Sequence, residues 1–173
     1  MDKALRRYKI CLTVIVSSLV VVLYFNILQF SSQPAQISTE QSISVSERII
    51  GFIEKTFSIN FEISADQFGK IEKFIRKAAH FSEYALLGFL VYMLPLIWER
   101  KTFKPALYSF IAVVIMASFD EFLQLFIPGR AALVTDVMLD AVGCVFGMLV
   151  LRLIYLLFTY KLVQYKIKSE DAL

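Results

Sequence analysis

Cysteine, histidine, tryptophan, proline and glycine are all scarce in this chain: two Cys, one His, one Trp, four Pro and six Gly among 173 residues. Cys11 and Cys144 stand apart inside apolar runs, so they make no disulfide framework and no CxxC metal site. So little Pro and Gly excludes a low-complexity tail. Charge is thin as well, at 19% of residues against about 25% in a soluble domain. A net charge of +3 is too small for a nucleic-acid-binding module, so no nucleic-acid partner is expected. The chain has no nucleophile elbow, phosphate loop or HExxH helix. What fills it instead is apolar: 58% of residues are hydrophobic, and the mean hydropathy is +0.65. A single core of this size cannot bury that much apolar surface, which argues against a soluble enzyme or a disordered segment.

Four apolar stretches are long enough to cross a bilayer, which takes about 20 helical residues. They run from about Ile10 to Phe30, Ala78 to Trp98, Leu107 to Ile127 and Val134 to Tyr160. The runs are continuous and rich in Leu, Ile, Val and Phe, without the alternation of barrel strands. The expectation is therefore an all-α, polytopic membrane protein with four transmembrane helices. The first stretch follows the basic Lys3, Arg6, Arg7 and Lys9, as a signal peptide would. Its apolar run of about 20 residues exceeds the 7–15 of a signal h-region, and no small-x-small site follows. It is read as an uncleaved anchor.

Lys and Arg near the span ends set the orientation. The N-terminal flank, the 2–3 loop (Arg100, Lys101, Lys104) and the C-terminal flank (Lys161, Lys166, Lys168) are basic, whereas the 3–4 loop has only Arg130. Both termini are thus expected in the cytoplasm. The first loop would then be external, and its Lys70, Lys73, Arg76 and Lys77 count against this orientation. Residues 31–46 are rich in Ser and Gln and read as a flexible linker. Beyond them, Ile49, Ile53 and Phe57 repeat at helical spacing, predicting a short amphipathic helix. Ser64-Ala65-Asp66-Gln67 is a capping-box pattern. It opens a basic amphipathic segment with Phe68, Ile71, Ile75 and Ala78 on one face, read as lying on the outer lipid surface, or else packed on the bundle top.

The spans also carry residues that membrane helices normally lack. Lys77, His80 and Tyr84 share a face at the start of the second span, and Glu83 borders it. The third span ends with Asp120, Glu121 and Gln124, followed by Pro128-Gly129-Arg130. The fourth opens with Asp136 and Asp140, then Gly143 and Gly147. An acid at the centre of a membrane helix costs at least about 2.5 kcal/mol, so such groups face the bundle interior or a wet cavity. Because neighbouring spans alternate in direction, all of these residues fall in one layer near one end. Single polar residues are more often glue between helices, and Gly143 and Gly147 read as close-packing positions. A whole layer is harder to explain that way. Its five acids outnumber Arg130, Lys77 and His80, so some must be protonated, bind a divalent cation or meet a cationic ligand. His with carboxylates suits several divalent metals, but the spacing matches no sharp metal motif, and the cofactor stays unassigned.

Three ordered motifs carry a family resemblance: Lys77-x-x-His80-x-x-Glu83-Tyr84, Asp120-Glu121-x-x-Gln124-x-x-x-Pro128-Gly129-Arg130, and Asp136-x-x-x-Asp140-x-x-Gly143-x-x-x-Gly147. Over about Lys73 to Leu151 the chain resembles the VanZ-like family of small bacterial membrane proteins. The resemblance implies a bacterial plasma-membrane protein. Its namesake is linked to resistance to the glycopeptide teicoplanin. Two positions depart from the family pattern: Leu123 stands where members often have His, and Asp140 where they often have Asn. The chain divides into residues 1–30 (flank and first span), 31–72 (external linker and amphipathic helices), 73–160 (VanZ-like spans two to four) and 161–173 (cytoplasmic tail).

The leading expectation is a polar pocket that recognises or modifies a lipid-linked envelope precursor or other membrane lipid, affecting susceptibility to glycopeptide antibiotics. Lys77, Tyr84 and Arg130 would bind the ligand, with Arg130 and Lys77 suited to phosphate. Alternatively, the same site is an intramembrane enzyme, with His80 or Glu121 as general acid or base and the other carboxylates orienting substrate. A third reading is a purely structural or partner-binding bundle. The sequence leaves the ligand, the chemistry and the oligomeric state open.

Overall fold

The computed structural model describes residues 2–98 and 103–170. Arg100 and Lys101, used in the orientation count, lie outside the described residues. Five helices follow one another: α1 (Lys3–Ser31), α2 (Ala35–Phe57), α3 (Ala65–Ile97), α4 (Phe103–Gln124) and α5 (Val134–Glu170). No strand occurs among the described residues. Four helices, α1, α3, α4 and α5, are long and apolar enough to cross a membrane. Val21 and Phe25 on α1, Ile115 on α4, and Leu149 and Phe158 on α5 are all exposed. Large apolar side chains left outside a bundle fit a hydrocarbon solvent rather than water. This is a multi-pass membrane protein.

Side-chain ties fix the up-down order. At one end the Trp98 indole donates to Thr13 Oγ1 at 3.0 Å, and at the other the Ser31 hydroxyl donates to Asp120 Oδ2 at 2.9 Å. Between them the Tyr24 hydroxyl donates to the Met116 carbonyl at 3.0 Å. α1 is thus keyed into the bundle along its length. Ile27, Tyr84, Leu87, Val113, Ala117 and Cys144 form the buried core.

The closest seam joins α3 and α5. A Cβ added at Gly143 would lie 2.5 Å from the Phe81 carbonyl oxygen, and one at Gly88 2.6 Å from that of Cys144. At Gly147 it would collide with the Ala85 carbonyl. Small residues let the two backbones touch, which is how membrane helices associate when lipid supplies no hydrophobic drive. The expected close-packing role of Gly143 and Gly147 is what the structure has.

Two expectations for the first loop need correction. Residues 35–46 are not a flexible linker but the first half of α2. The Ser42 and Ser46 hydroxyls donate to the carbonyls of Ser38 and Ser42, at 3.0 and 2.7 Å, so the serines satisfy themselves within the helix. Their small side chains form the buried face of α2, while Ile49 and Phe57, on the stripe that predicted an amphipathic helix, are exposed. The basic amphipathic segment is not a separate surface helix either. It is the start of α3, which runs unbroken for 33 residues, about 50 Å. A bilayer core is only about 30 Å thick, so α3 is longer than a crossing needs. Its capping box is formed: the Gln67 amide donates to Ser64 Oγ at 3.4 Å, and the Ser64 amide to Gln67 Oε1 at 2.9 Å.

Candidate functional site

The cationic wall of the site is built from a helical repeat. Lys73, Arg76, Lys77 and His80 recur at spacings of three and four on α3, so they face one side of it. That side turns toward the ends of α4 and α5 and, with Ala35 at the start of α2, encloses a cavity of about 320 Å³. α4 contributes Glu121 and Gln124, and α5 contributes Asp136 and Leu139. Arg130 enters from the α4–α5 connection. There the Arg130 amide donates to the Ile127 carbonyl at 3.1 Å, Pro128 occupies the first corner, and Gly129 takes φ 76° at the second. This is a type II turn, whose second corner favours glycine.

Two side chains organise this end. The Arg130 Nε donates to the Gln33 carbonyl at 3.2 Å and its Nη2 to the Phe30 carbonyl at 3.5 Å, which caps the C-terminal end of α1. Burial and the neighbouring Arg76 lower the Arg130 pKa from its ordinary value, while Asp120 and Glu121 oppose them; the guanidinium stays charged at neutral pH. Glu121 Oε1 accepts the Leu133 amide at 2.6 Å, just ahead of α5. A carboxylate at a helix N-terminus is favourable, so Glu121 holds α5 as well as lining the cavity. Across the mouth, Lys77 Nζ meets Asp136 Oδ1 at 2.8 Å.

The structure sorts the sequence-derived residues by depth. His80, Lys77, Glu121, Gln124, Arg130 and Asp136 line the cavity together. Glu83 lies in an adjoining crevice of about 220 Å³, bounded by Phe30, by Val45 of α2 and by Ile75 and Ala79 of α3. Arg76, His80 and Arg130 line both spaces and so form the partition between them. Tyr84, Asp120 and Asp140 line neither; they are buried beneath, at 0%, 1% and 3% exposure. Tyr84, expected from the sequence to bind the ligand, is turned by its helix into the core and does not line the cavity.

The charge balance changes accordingly. Lys73, Arg76, Lys77 and Arg130 face only Glu121 and Asp136 in the cavity, so its wall is cationic rather than acidic. The surplus acids sit below or beside it. Arg76 was not among the sequence candidates, yet its i−4 spacing from His80 was the available signal. Ser31, the hydroxyl donor to Asp120, carries no such signal, because only the tertiary fold brings α1 there. Among the described residues, no three of His, Cys, Asp and Glu converge to hold a metal ion.

The model of the VanZ/LLP1 family matches residues 16–158. Neither the curated proteins nor the solved structures include a match. The family match takes in both the cavity and the α1 end that Arg130 caps.

Proposed function

The chain belongs to the VanZ/LLP1 family, and from that premise we propose that its cavity recognises the phosphate-bearing head of a lipid-linked cell-envelope molecule. The observation that carries this reading is the pair of spaces sharing one cationic partition. The polar space presents Lys73, Arg76, Lys77 and Arg130, which suit phosphate or pyrophosphate. The second space has apolar walls in Phe30, Val45, Ile75 and Ala79, which suit an acyl or polyprenyl chain. An amphiphile straddling Arg76, His80 and Arg130 would satisfy both.

In this reading the cavity faces outward from a bacterial plasma membrane, with both termini cytoplasmic. Three of the four basic residues of the first loop that stood against that orientation are ion-paired: Lys70 with Asp66, Arg76 with Glu72 and Lys77 with Asp136. Sequestering an envelope precursor at that surface would alter susceptibility to teicoplanin-type glycopeptides.

The test is photo-crosslinking of the membrane-embedded protein to lipid phosphates. A Lys73→Glu, Lys77→Glu double variant should capture about tenfold less, a loss of about 1.4 kcal/mol, at normal membrane abundance. Undiminished capture overturns the reading. One observation favours a second one: His80 lies on the partition with Glu121 and Asp136 on the same cavity, as a proton-transferring enzyme acting on a lipid-linked phosphate or glycan requires. Release of phosphate or sugar from a candidate lipid by the purified protein, abolished in His80→Gln, would establish catalysis.

A further inference from the structure

The cationic cavity has a second apolar neighbour. Between the end of α4 and the start of α5 lies a crevice of about 320 Å³, lined by Ser118, Glu121, Phe122, Leu133, Val134 and Val137. Two of these residues, Glu121 and Leu133, also line the cavity. They are joined to each other, because Glu121 Oε1 accepts the Leu133 amide at 2.6 Å. This hydrogen-bonded pair is therefore the partition between the two spaces. Phe122, Leu133 and Val134 are all exposed. The crevice is thus open on its outer side, at the ends of two helices of membrane-spanning length.

The crevice that holds Val45 and Ile75 borders the same cavity through a different wall, Arg76, His80 and Arg130. The two crevices have no residue in common. One is bounded by α1, α2, α3 and Arg130, the other by α4, α5 and the segment joining them. One cationic space is thus flanked by two separate apolar ones, each a single layer of side chains away.

A polyprenyl phosphate carries one chain and would occupy one crevice. A diacylglycerol phosphate carries two chains that diverge below one phosphate. We propose that the ligand is a two-chain glycerol lipid with an exposed phosphate. The phosphate sits among Lys73, Arg76, Lys77 and Arg130, and the chains divide between the two crevices. This inference rests on the lipid-phosphate reading and narrows it. A chain that leaves the bilayer for a protein crevice exchanges one apolar surrounding for another, so hydrophobic burial supplies no preference. Connectivity supplies it: once the phosphate is bound, both chains of the same molecule are held at high effective concentration beside their crevices.

The experiment uses the full chain in phosphatidylcholine nanodiscs. A phosphatidate with a diazirine in one acyl chain, and then in the other, is photo-crosslinked to the protein, and labelled peptides are mapped by mass spectrometry. Unlabelled phosphatidate, lysophosphatidate and a polyprenyl monophosphate compete for capture; all three end in the same phosphate group. We expect labelling in both crevices, around Val45 and Ile75 and around Phe122 and Val137. Phosphatidate should compete about fivefold better than either one-chain phosphate. Ser118→Phe narrows the second crevice from an exposed position. It should bring phosphatidate down to the one-chain level and leave both one-chain competitors unchanged, which also reports an intact fold. The labelling map needs no variant and decides alone if Ser118→Phe does not fold. One-chain phosphates that compete as well as phosphatidate overturn the two-chain ligand and leave the lipid-phosphate reading standing. Labelling confined to one crevice does the same, as does a folded Ser118→Phe protein that keeps the preference. Capture of no lipid phosphate at all overturns that reading, and this inference with it.

Discussion

α3 and α5 meet twice, in opposite ways. Along the seam from Phe81 to Gly88 their backbones touch, because Gly143 and Gly147 leave no side chain between them. One turn nearer the polar end, at His80 and Leu139, the same helices part around a cavity of about 320 Å³. At the seam the glycines lie directly against backbone carbonyls of the facing helix. The cavity wall is cationic, with Lys73, Arg76, Lys77 and Arg130 on it. Where the small residues end, the helices separate, and where they separate, ionisable groups become affordable. Rigid contact below is what allows an open space above to keep its shape.

That division predicts where mutations cost stability. The largest effect is expected at the seam. Gly147→Leu drives its side chain into the Ala85 carbonyl, a backbone group that cannot rotate away. We expect destabilisation upward of about 3 kcal/mol and loss of monodisperse protein on size exclusion. Gly51→Leu, where a Cβ meets open space, should behave as wild type. A well-folded Gly147→Leu protein would erase the contrast between seam and cavity.

Arg130→Ala comes next, because Arg130 belongs to both regions. It loses charged hydrogen bonds to the Gln33 and Phe30 carbonyls, so α1 loosens at its end. The expected cost is about 2 kcal/mol in thermal or denaturant unfolding, together with reduced capture of lipid phosphates. Capture lost at unchanged stability would confine Arg130 to the ligand. Ser31→Ala is milder: it removes the Asp120 hydrogen bond for about 1 kcal/mol, and capture should stay near wild type.

Legibility in the sequence follows the same division. The spans, the shared polar depth and the packing glycines were readable, because each rests on local composition or helical spacing. The Ser64 capping box was readable for the same reason. α2 was not: serines read as linker composition, and only burial against α3 makes Ser42 and Ser46 useful as small surfaces. The continuity of α3 was hidden by a change from basic amphipathic to apolar composition that leaves the helical phase unbroken. Within the layer, spacing placed Tyr84 with Lys77 and His80, but rotation and depth put Tyr84 in the core and the other two on the cavity. The depth of a residue depends on which neighbour covers it, and a single chain does not state that.

The smallest stability effect belongs to the mouth itself. Lys77 and Asp136 make a 2.8 Å ion pair, but their side chains are 53% and 35% exposed. At that exposure solvent screens the attraction, and holding a long lysine in place costs side-chain entropy. Lys77→Met should therefore change unfolding stability by no more than about 0.5 kcal/mol. A double-mutant cycle with Asp136→Asn should give a coupling of similar size at about 0.15 M salt, smaller at higher salt. Capture of lipid phosphates should nevertheless fall, because a cation leaves the wall whether or not it was holding the fold together. A coupling above about 1.5 kcal/mol, with capture unaffected, would make the mouth a structural clasp like the seam and dissolve the distinction between them.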